Sequence, residues 1–344
     1  MILSLPLHKA IVDLRIRFSW TIKYDTVRSS KREERMGISM KMNRLGASDI
    51  MVSEIGLGCM SLGTEEAKAV SMIHRALDCG VNLLDTADLY DAGQNEEWVG
   101  LAVQGRRDRV VIATKVGNRR IPGQEGSAWD ASKKYILSAV HDSLRRLKTD
   151  YIDLYQLHGG TLDDPIDETI EAFEELKRQG LIRHYGISSI RPNVVREYAG
   201  RSGIVSVMNQ ISILDRRAEE DILPVAQTHG IGVIARGPVA GGLLSENKRV
   251  EKGYLDYSAD EIVRLREELR LFVSPERSLS QLAIRFSLSE PAVVAAIPGA
   301  SSLAQLEHNL SAAELPPLTA DELAAIRSIS RSNRYEKHRA DPTI

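Results

Sequence analysis

The sequence predicts an α/β protein whose chain closes into a (β/α)8 barrel. Three observations carry this. From about residue 42 to about residue 312, short apolar runs of strand length alternate with longer amphipathic patterns, the signature of βαβ units and a parallel sheet. There are eight such runs, and eight consecutive units suit closure into a barrel better than an open sheet. An open dinucleotide fold would need a GxGxxG turn between strand and helix, and the glycines of GLGCMSLG (56–63) have the wrong spacing.

The strand candidates are SEIGLG (53–58), VNLLDT (81–86), RVVIAT (109–114), YIDLYQLH (151–158), IRHYGIS (182–188), IVSVMNQ (204–210), IGVIAR (231–236) and AVVAAIP (292–298). Before them, MNRLGASDIMV (42–52) reads as a small hairpin turning near Gly46, placed to plug the bottom of the barrel. Between them lie helices with recognisable ends. The pattern EEAKAVSMIHRALDCG stops at Gly80, a C-terminal signal. The helix over 132–147 has Ser132 as N-cap and Ile136, Val140, Leu144 and Leu147 on one face. The stretch 167–180 turns Ile170, Phe173 and Leu176 inward and stops at Gly180. QLEHNLSAA follows the eighth strand, and TADELAAIRSIS (319–330) is one further C-terminal helix.

Residues 41–344 thus read as one barrel unit and residues 1–40 as an N-terminal extension. Its apolar start, MILSLPL, is cut short by His8 and Lys9. It lacks the layout of a secretory signal and is too short to span a bilayer. RSSKREER (28–35) has no apolar residue and reads as exposed or disordered. We expect the extension to be dispensable.

Composition narrows the function. Apolar residues make up 43% and charged residues 27% of the 344, ordinary for a globular protein, and the net charge is −2. A nucleic-acid partner calls for a basic face, so none is expected, and neither is a membrane span. The two cysteines, Cys59 and Cys79, form no CxxC or Cys/His cluster. That argues against a zinc site and for a reducing, cytoplasmic location.

In a barrel of this kind, chemistry sits at the C-terminal ends of the strands. The second strand ends in Asp85, the third in Lys115 and the fourth in His158. Neighbouring strands lie about 5 Å apart, so these three side chains can converge at one mouth. Alternation agrees. Gln156 and His158 share one face of the fourth strand, opposite Tyr155 and Leu157, and Val111, Ala113 and Lys115 share one face of the third. Each residue alone has a plain structural explanation: Asp85 as a cap, Lys115 reaching to solvent, His158 as a core histidine. Three in order at three consecutive strand ends are not covered by those explanations together.

With these residues in view, the chain resembles the aldo-keto reductase superfamily from about residue 42 to 330. GLGCMSLG, NLLDTADLYDAGQNEEWVG, IATK, DYIDLYQLHGG, IRHYGISSI and IPGASSLAQLEHNL carry the resemblance. It implies NAD(P)H-dependent reduction of a small-molecule carbonyl substrate without a metal. Tyr90 would be the general acid, Lys115 would lower its pKa, Asp85 would hold Lys115, and His158 would orient the carbonyl. The resemblance assigns Ser188, Ser189 and Gln210 to the nicotinamide carboxamide, and Cys59 and Met60 to the first loop beside the ribose and ring. RGPVAGGLL (236–244), with Gly237, Pro238, Val239 and Gly241, would wrap the pyrophosphate with backbone N–H groups.

Two departures stand out. Arg236 occupies a place where many members carry an aromatic that stacks on nicotinamide; a guanidinium plane also stacks. Around Gly299, Ser301, Gln305 and Asn309, where many members hold the 2′-phosphate of NADP with basic residues, residues 299–309 contain no Lys or Arg. The family favours NADP(H), with NAD(H) the alternative. Trp129, in the long segment 116–130, and Trp98 are candidates to line a substrate pocket. Two other activities compete on the same fold: a nucleotide-sensing, non-catalytic protein, and an aldolase using Lys115 as a Schiff base.

Overall fold

The computed structural model describes residues 38–121 and 126–339. Most of the expected extension, 1–37, therefore lies outside the described residues. Ile38 and Met40, at its end, pack partly buried against the core.

The chain opens with an antiparallel hairpin, β1 (Met42–Arg44) and β2 (Met51–Ser53). Eight parallel strands follow: β3 (Leu57–Gly58), β4 (Leu83–Asp85), β5 (Val111–Val116), β8 (Ile152–Leu157), β9 (Ile182–Ser188), β10 (Ser206–Gln210), β11 (Gly232–Arg236) and β12 (Val293–Ile297). They pair in sequence order from β3 to β12. Parallel bridges from Ile55 to Ala296 and from Gly58 to Gly299 join last to first and close the barrel. Seven of the eight expected runs contain one of these strands, and β5 begins inside the third run and extends two residues beyond it, through Lys115 to Val116. A second hairpin, β6 (Asn118–Arg120) with β7 (Ser127–Trp129), stands on the segment after β5.

The principal helices are α1 (Glu66–Asp78), α2 (Gln94–Ala102), α3 (Lys133–Leu147), α4 (Ile166–Arg178), α5 (Pro192–Arg201), α6 (Ile222–Thr228), α7 (Ala259–Leu269), α8 (Leu279–Ser287), α9 (Leu303–Leu310) and α10 (Ala320–Ile329). Several end where local chemistry predicts. Ser132 caps α3 through the Tyr135 amide at 3.3 Å, and Ser302 caps α9 through the Gln305 amide at 3.2 Å. Gly80 and Gly180, at φ +91° and +74°, adopt the left-handed conformation past the ends of α1 and α4.

Alternation along each strand sorts the core into two layers. Tyr155, Leu157, Ile112 and Val116 face outward into the layer beneath the helices, with Phe173 and Leu176 of α4. Leu83, Val111, Ala113, Leu154, Met208, Ile234 and Ala295 fill the barrel interior. The first hairpin plugs the interior as expected, since Leu45, Ile50 and Val52 join that inner cluster. Gly46 makes this possible: at φ +54°, a Cβ there would lie 2.2 Å from the Val205 carbonyl oxygen. The cavity described below lies at the other end, beyond the C-terminal ends of the strands.

Candidate active site

Asp85 ends β4, and Lys115 lies on β5 on the same inward face as Ala113, whose backbone registers with Asp85. His158 follows the last residue of β8, and Tyr90 begins a 3₁₀ turn (Tyr90–Gly93) after β4. The four side chains meet at the mouth. Lys115 Nζ donates to Asp85 Oδ2 at 2.8 Å, to the Thr86 carbonyl at 2.6 Å and to the Tyr90 hydroxyl at 3.2 Å. The Tyr90 and His158 rings meet edge to face, with centroids 6.0 Å apart. Burial grades the set: Lys115 is 1% and Asp85 4% exposed, whereas Tyr90 and His158 are half-buried and line a cavity.

The turn that presents Tyr90 is held from behind. Thr86 Oγ1 donates to Asn95 Oδ1 at 2.7 Å, and Asn95 Nδ2 donates to the Cys59 carbonyl at 2.9 Å. Thr114, beside Lys115, donates to the buried Glu96 at 2.6 Å, and Arg146 reaches the other oxygen of Glu96 at 2.7 Å. Asp91 and Ala92 sit at φ +45° and +64°, a conformation that costs a non-glycine residue of order 1 kcal/mol each. The strain falls in the turn that carries Tyr90.

Burial governs the electrostatics here. It pushes the Asp85 carboxyl upward, and the Lys115 cation offsets only part of that. Burial also works against the Lys115 ammonium, but Asp85 and Tyr90 outweigh it and keep the amine protonated. Desolvation of the phenolate raises the Tyr90 pKa, and Lys115, which pulls it down as expected, only partly compensates, so the net direction is upward. The phenol is therefore neutral and carries its proton. Burial, reinforced by Lys115 and Arg236, lowers His158 to about 3, so its ring is neutral at ordinary pH. Among the described residues no partner reaches His158 Nδ1.

The cavity has a volume of about 1090 Å³, larger than most small-molecule pockets and roomy enough for a dinucleotide beside a small substrate. Of the predicted residues, Met60, Tyr90, Asp85, Trp129, His158, Ser188, Ser189, Gln210, Arg236, Gly237, Val239, Gly241, Gly299, Ser301 and Gln305 line it. Its walls fit the dinucleotide implied by the sequence. Gly237, Gly241 and Gly242 follow β11 at φ +66°, +64° and +90°, and a Cβ on Gly241 would meet nothing within 4 Å, so this backbone is open to close approach. After the adjacent strand β12, a Cβ on Gly299 would lie 2.5 Å from Ser61 Oγ, where β3 and β12 close the barrel.

Other predicted residues do not reach the cavity wall. The Trp98 side chain is 4% exposed and belongs to the outer core; α2 turns its apolar face inward, and the indole goes with it. The Cys59 thiol is likewise in the core, and the same residue serves Asn95 through its carbonyl. Asn309 sits behind the wall, donating to the Gly299 carbonyl at 3.1 Å. Pro238 is not among the lining residues, although both its neighbours are. Trp129 does line the cavity. Its Nε1 donates to Asp164 at 2.7 Å, and its ring lies where a Cβ on Gly117 would be, at 2.7 Å.

Sequence reasoning missed Asn118, Ile190, Arg191, Met208 and Tyr254, all lining residues. Asn118 and Met208 had a signal: Asn118 lies in the long segment 116–130 already singled out, and Met208 lies two residues before Gln210 on the sixth strand. Tyr254 had none, because it lies in an irregular segment between Gly242 and α7.

Comparison with known proteins agrees with this geometry. Residues 54–331 match the sequence model of the Aldo/keto reductase family. The chain is 53% identical over 308 residues to the oxidoreductase YqkF of Bacillus subtilis, covering 88% of this chain and 100% of that protein. It is 31% identical over 294 residues to the aldo-keto reductase YhdN of the same organism, covering 78% and 87%. Among solved structures, the holo form of aldo-keto reductase AKR11C1 from Bacillus halodurans is 56% identical, with a TM-score of 0.84 and coverage of 88% and 100%. The glycerol dehydrogenase AKR11B4 from Gluconobacter oxydans is 26% identical, with a TM-score of 0.78 and coverage of 89% and 99%.

Proposed function

The chain belongs to the aldo/keto reductase family, and we propose that it reduces small aldehydes or ketones to alcohols with NAD(P)H, using Tyr90 as the proton donor. One observation carries this reading: the buried Lys115–Asp85 pair delivers an ammonium to within 3.2 Å of the Tyr90 hydroxyl, at the edge of a cavity shared with His158.

The bound dinucleotide would supply the hydride. The protein's part is acid–base chemistry and orientation. The neutral Tyr90 phenol gives its proton to the carbonyl oxygen as that oxygen gains charge. Lys115 stays protonated and donates to the phenolate oxygen left behind, which lowers the cost of the transfer. In the tautomer that carries its hydrogen on Nε2, neutral His158 orients the carbonyl by donating from that nitrogen. Asp85 holds Lys115 in place. Trp129 and Ile190 offer apolar surface to the rest of the substrate.

We further propose Ser188, Ser189 and Gln210 as the carboxamide site, Arg236 as a guanidinium stacked on the nicotinamide, and the glycines after β11 as the pyrophosphate cradle. NADP(H) is the favoured cofactor on family grounds, although the patch around Ser301 offers no cation. There Gln305 Oε1 accepts from both the Ser301 amide, at 2.9 Å, and its hydroxyl, at 3.1 Å. The burial and three donor contacts of Lys115 count against an aldolase, since a Schiff base needs a free, neutral amine.

The test is oxidation of NADPH and NADH, measured in parallel against a panel of small aldehydes and ketones. Turnover with either supports the reading, and the ratio reports cofactor choice. Tight dinucleotide binding with no turnover across the panel would replace it with a sensing role.

A further inference from the structure

The last segment of the chain reaches back to the residues proposed to hold the carboxamide. Tyr335, buried at 4% exposure, donates its hydroxyl to Asn209 Oδ1 at 2.9 Å. Asn209 Nδ2 in turn donates to the Ser189 carbonyl at 2.7 Å. Asn209 is fully buried and points away from the cavity, opposite to Gln210, which follows it on β10. On the cavity side, Gln210 Nε2 donates to the Tyr254 hydroxyl, which leaves Gln210 Oε1 as the acceptor end of that amide.

The same segment also holds Tyr254. Tyr254 and Tyr257 exchange backbone hydrogen bonds at 2.9 and 3.0 Å across a tight turn. The Arg331 amide donates to the Tyr257 hydroxyl at 2.5 Å, and Asn333 Nδ2 donates to Asp256 in the turn at 3.1 Å and to the Leu214 carbonyl at 3.0 Å. Arg217 lies over the Tyr335 ring, 4.7 Å from its centroid, while its Nε and Nη2 each bond Asp215 at 2.8 Å. Three residues of one short segment, Arg331, Asn333 and Tyr335, therefore fasten both sides of the carboxamide region through directional contacts that are buried or half-buried.

We propose that Arg331–Tyr335 is a positioning element for nicotinamide recognition: Tyr335 sets Ser189 through Asn209, and Tyr254, anchored by the same segment, sets the amide of Gln210. This rests on the dinucleotide reading of the cavity. Tyr335 touches no ligand; it acts through Asn209. Removing its hydroxyl leaves a buried acceptor unpaired, and the displaced group is Ser189. Removing the Tyr254 hydroxyl frees the Gln210 amide to rotate.

The experiment measures affinity, not turnover. Wild type, Tyr335→Phe and Tyr254→Phe are titrated with NADPH and with 2′-phospho-ADP-ribose, which lacks the nicotinamide. The same is done with NADH and ADP-ribose, and melting curves are recorded for each protein. We expect each variant to lose about tenfold in affinity for the dinucleotide, and less than about twofold for the truncated ligand. Equal losses for both ligands, or no loss for either, mean that the segment is scaffolding only and overturn the proposal. Wild type that binds no ligand of either pair instead overturns the dinucleotide reading itself. Tyr254 lies at the cavity edge rather than in the core, so its variant carries the comparison even if Tyr335→Phe folds poorly.

Discussion

Two buried aspartates in neighbouring parts of the barrel are put to opposite uses. Asp153, near the start of β8, has both oxygens occupied. Arg107 reaches one at 2.7 Å, the Ile112 amide donates to the same oxygen at 3.0 Å, and Arg183 reaches the other at 2.9 Å. Asp85, at the end of β4, has one direct cationic partner among the described residues, the Lys115 amine, which lies 2.8 Å from both of its oxygens and also serves Thr86 and Tyr90. A saturated buried carboxylate has nothing left to offer and holds the fold together. An undersaturated one is costly to bury, and the cation that neutralises it is placed where a reacting group can use it. Burial alone does not separate the two; the count of directed partners does.

The largest effect should come from the group that this arrangement serves. Tyr90→Phe is expected to lower kcat by about 10²–10⁴-fold while dinucleotide affinity, read by fluorescence titration, persists. A variant that reduces aldehydes at the wild-type rate would refute the assignment. The two aspartates test the contrast directly. Asp153→Asn should cost about 1.5–3 kcal/mol of stability in denaturant unfolding, because it strips the charge that faces half-buried Arg107 and exposed Arg183, yet leave kcat within about twofold. Asp85→Asn should instead cut kcat by at least about tenfold, and because it leaves the Lys115 ammonium buried without its counter-charge it costs stability as well. If the two variants exchange these phenotypes, the contrast fails.

His158 provides a pH test. Its folded-state pKa, about 3, lies below its ordinary 6.5 because burial disfavours the charged ring. The unfolded chain therefore binds the proton more readily. The neutral histidine's contribution is fully present above about pH 6.5 and is lost as pH falls toward 3, at up to about 1.4 kcal/mol per pH unit. His158→Gln should unfold less steeply than wild type between pH 6.5 and 4 in urea titrations. An identical acid dependence would show that this ring is not the group responsible. The smallest effect is expected from Trp129→Phe, which loses only the 2.7 Å bond to Asp164: a few-fold rise in aldehyde KM, about 1 kcal/mol, with kcat retained.

Much of this was legible beforehand, for identifiable reasons. Asp85, Lys115 and His158 could be found because strand alternation and strand-end position are local properties, and the barrel repeats them unit by unit. Ser132, Gly80 and Gly180 were readable because capping needs only the neighbouring backbone. Trp98 was misplaced because a tryptophan on an amphipathic helix looks the same whether its face meets a cavity or a core. For Tyr90 the pull of Lys115 was legible because that charge is visible in the sequence, whereas the loss of water around the phenol, which outweighs it, is not.

By itself, then, the sequence determined the eight βα units, the plugging hairpin and three strand-end groups, since periodicity and capping act over a few residues. Only the tertiary structure decided which partners each buried group has and how much water it keeps. Asp85 differs from Asp153, and Tyr335 reaches Asn209 across 126 positions, through contacts that exist only once the barrel has closed.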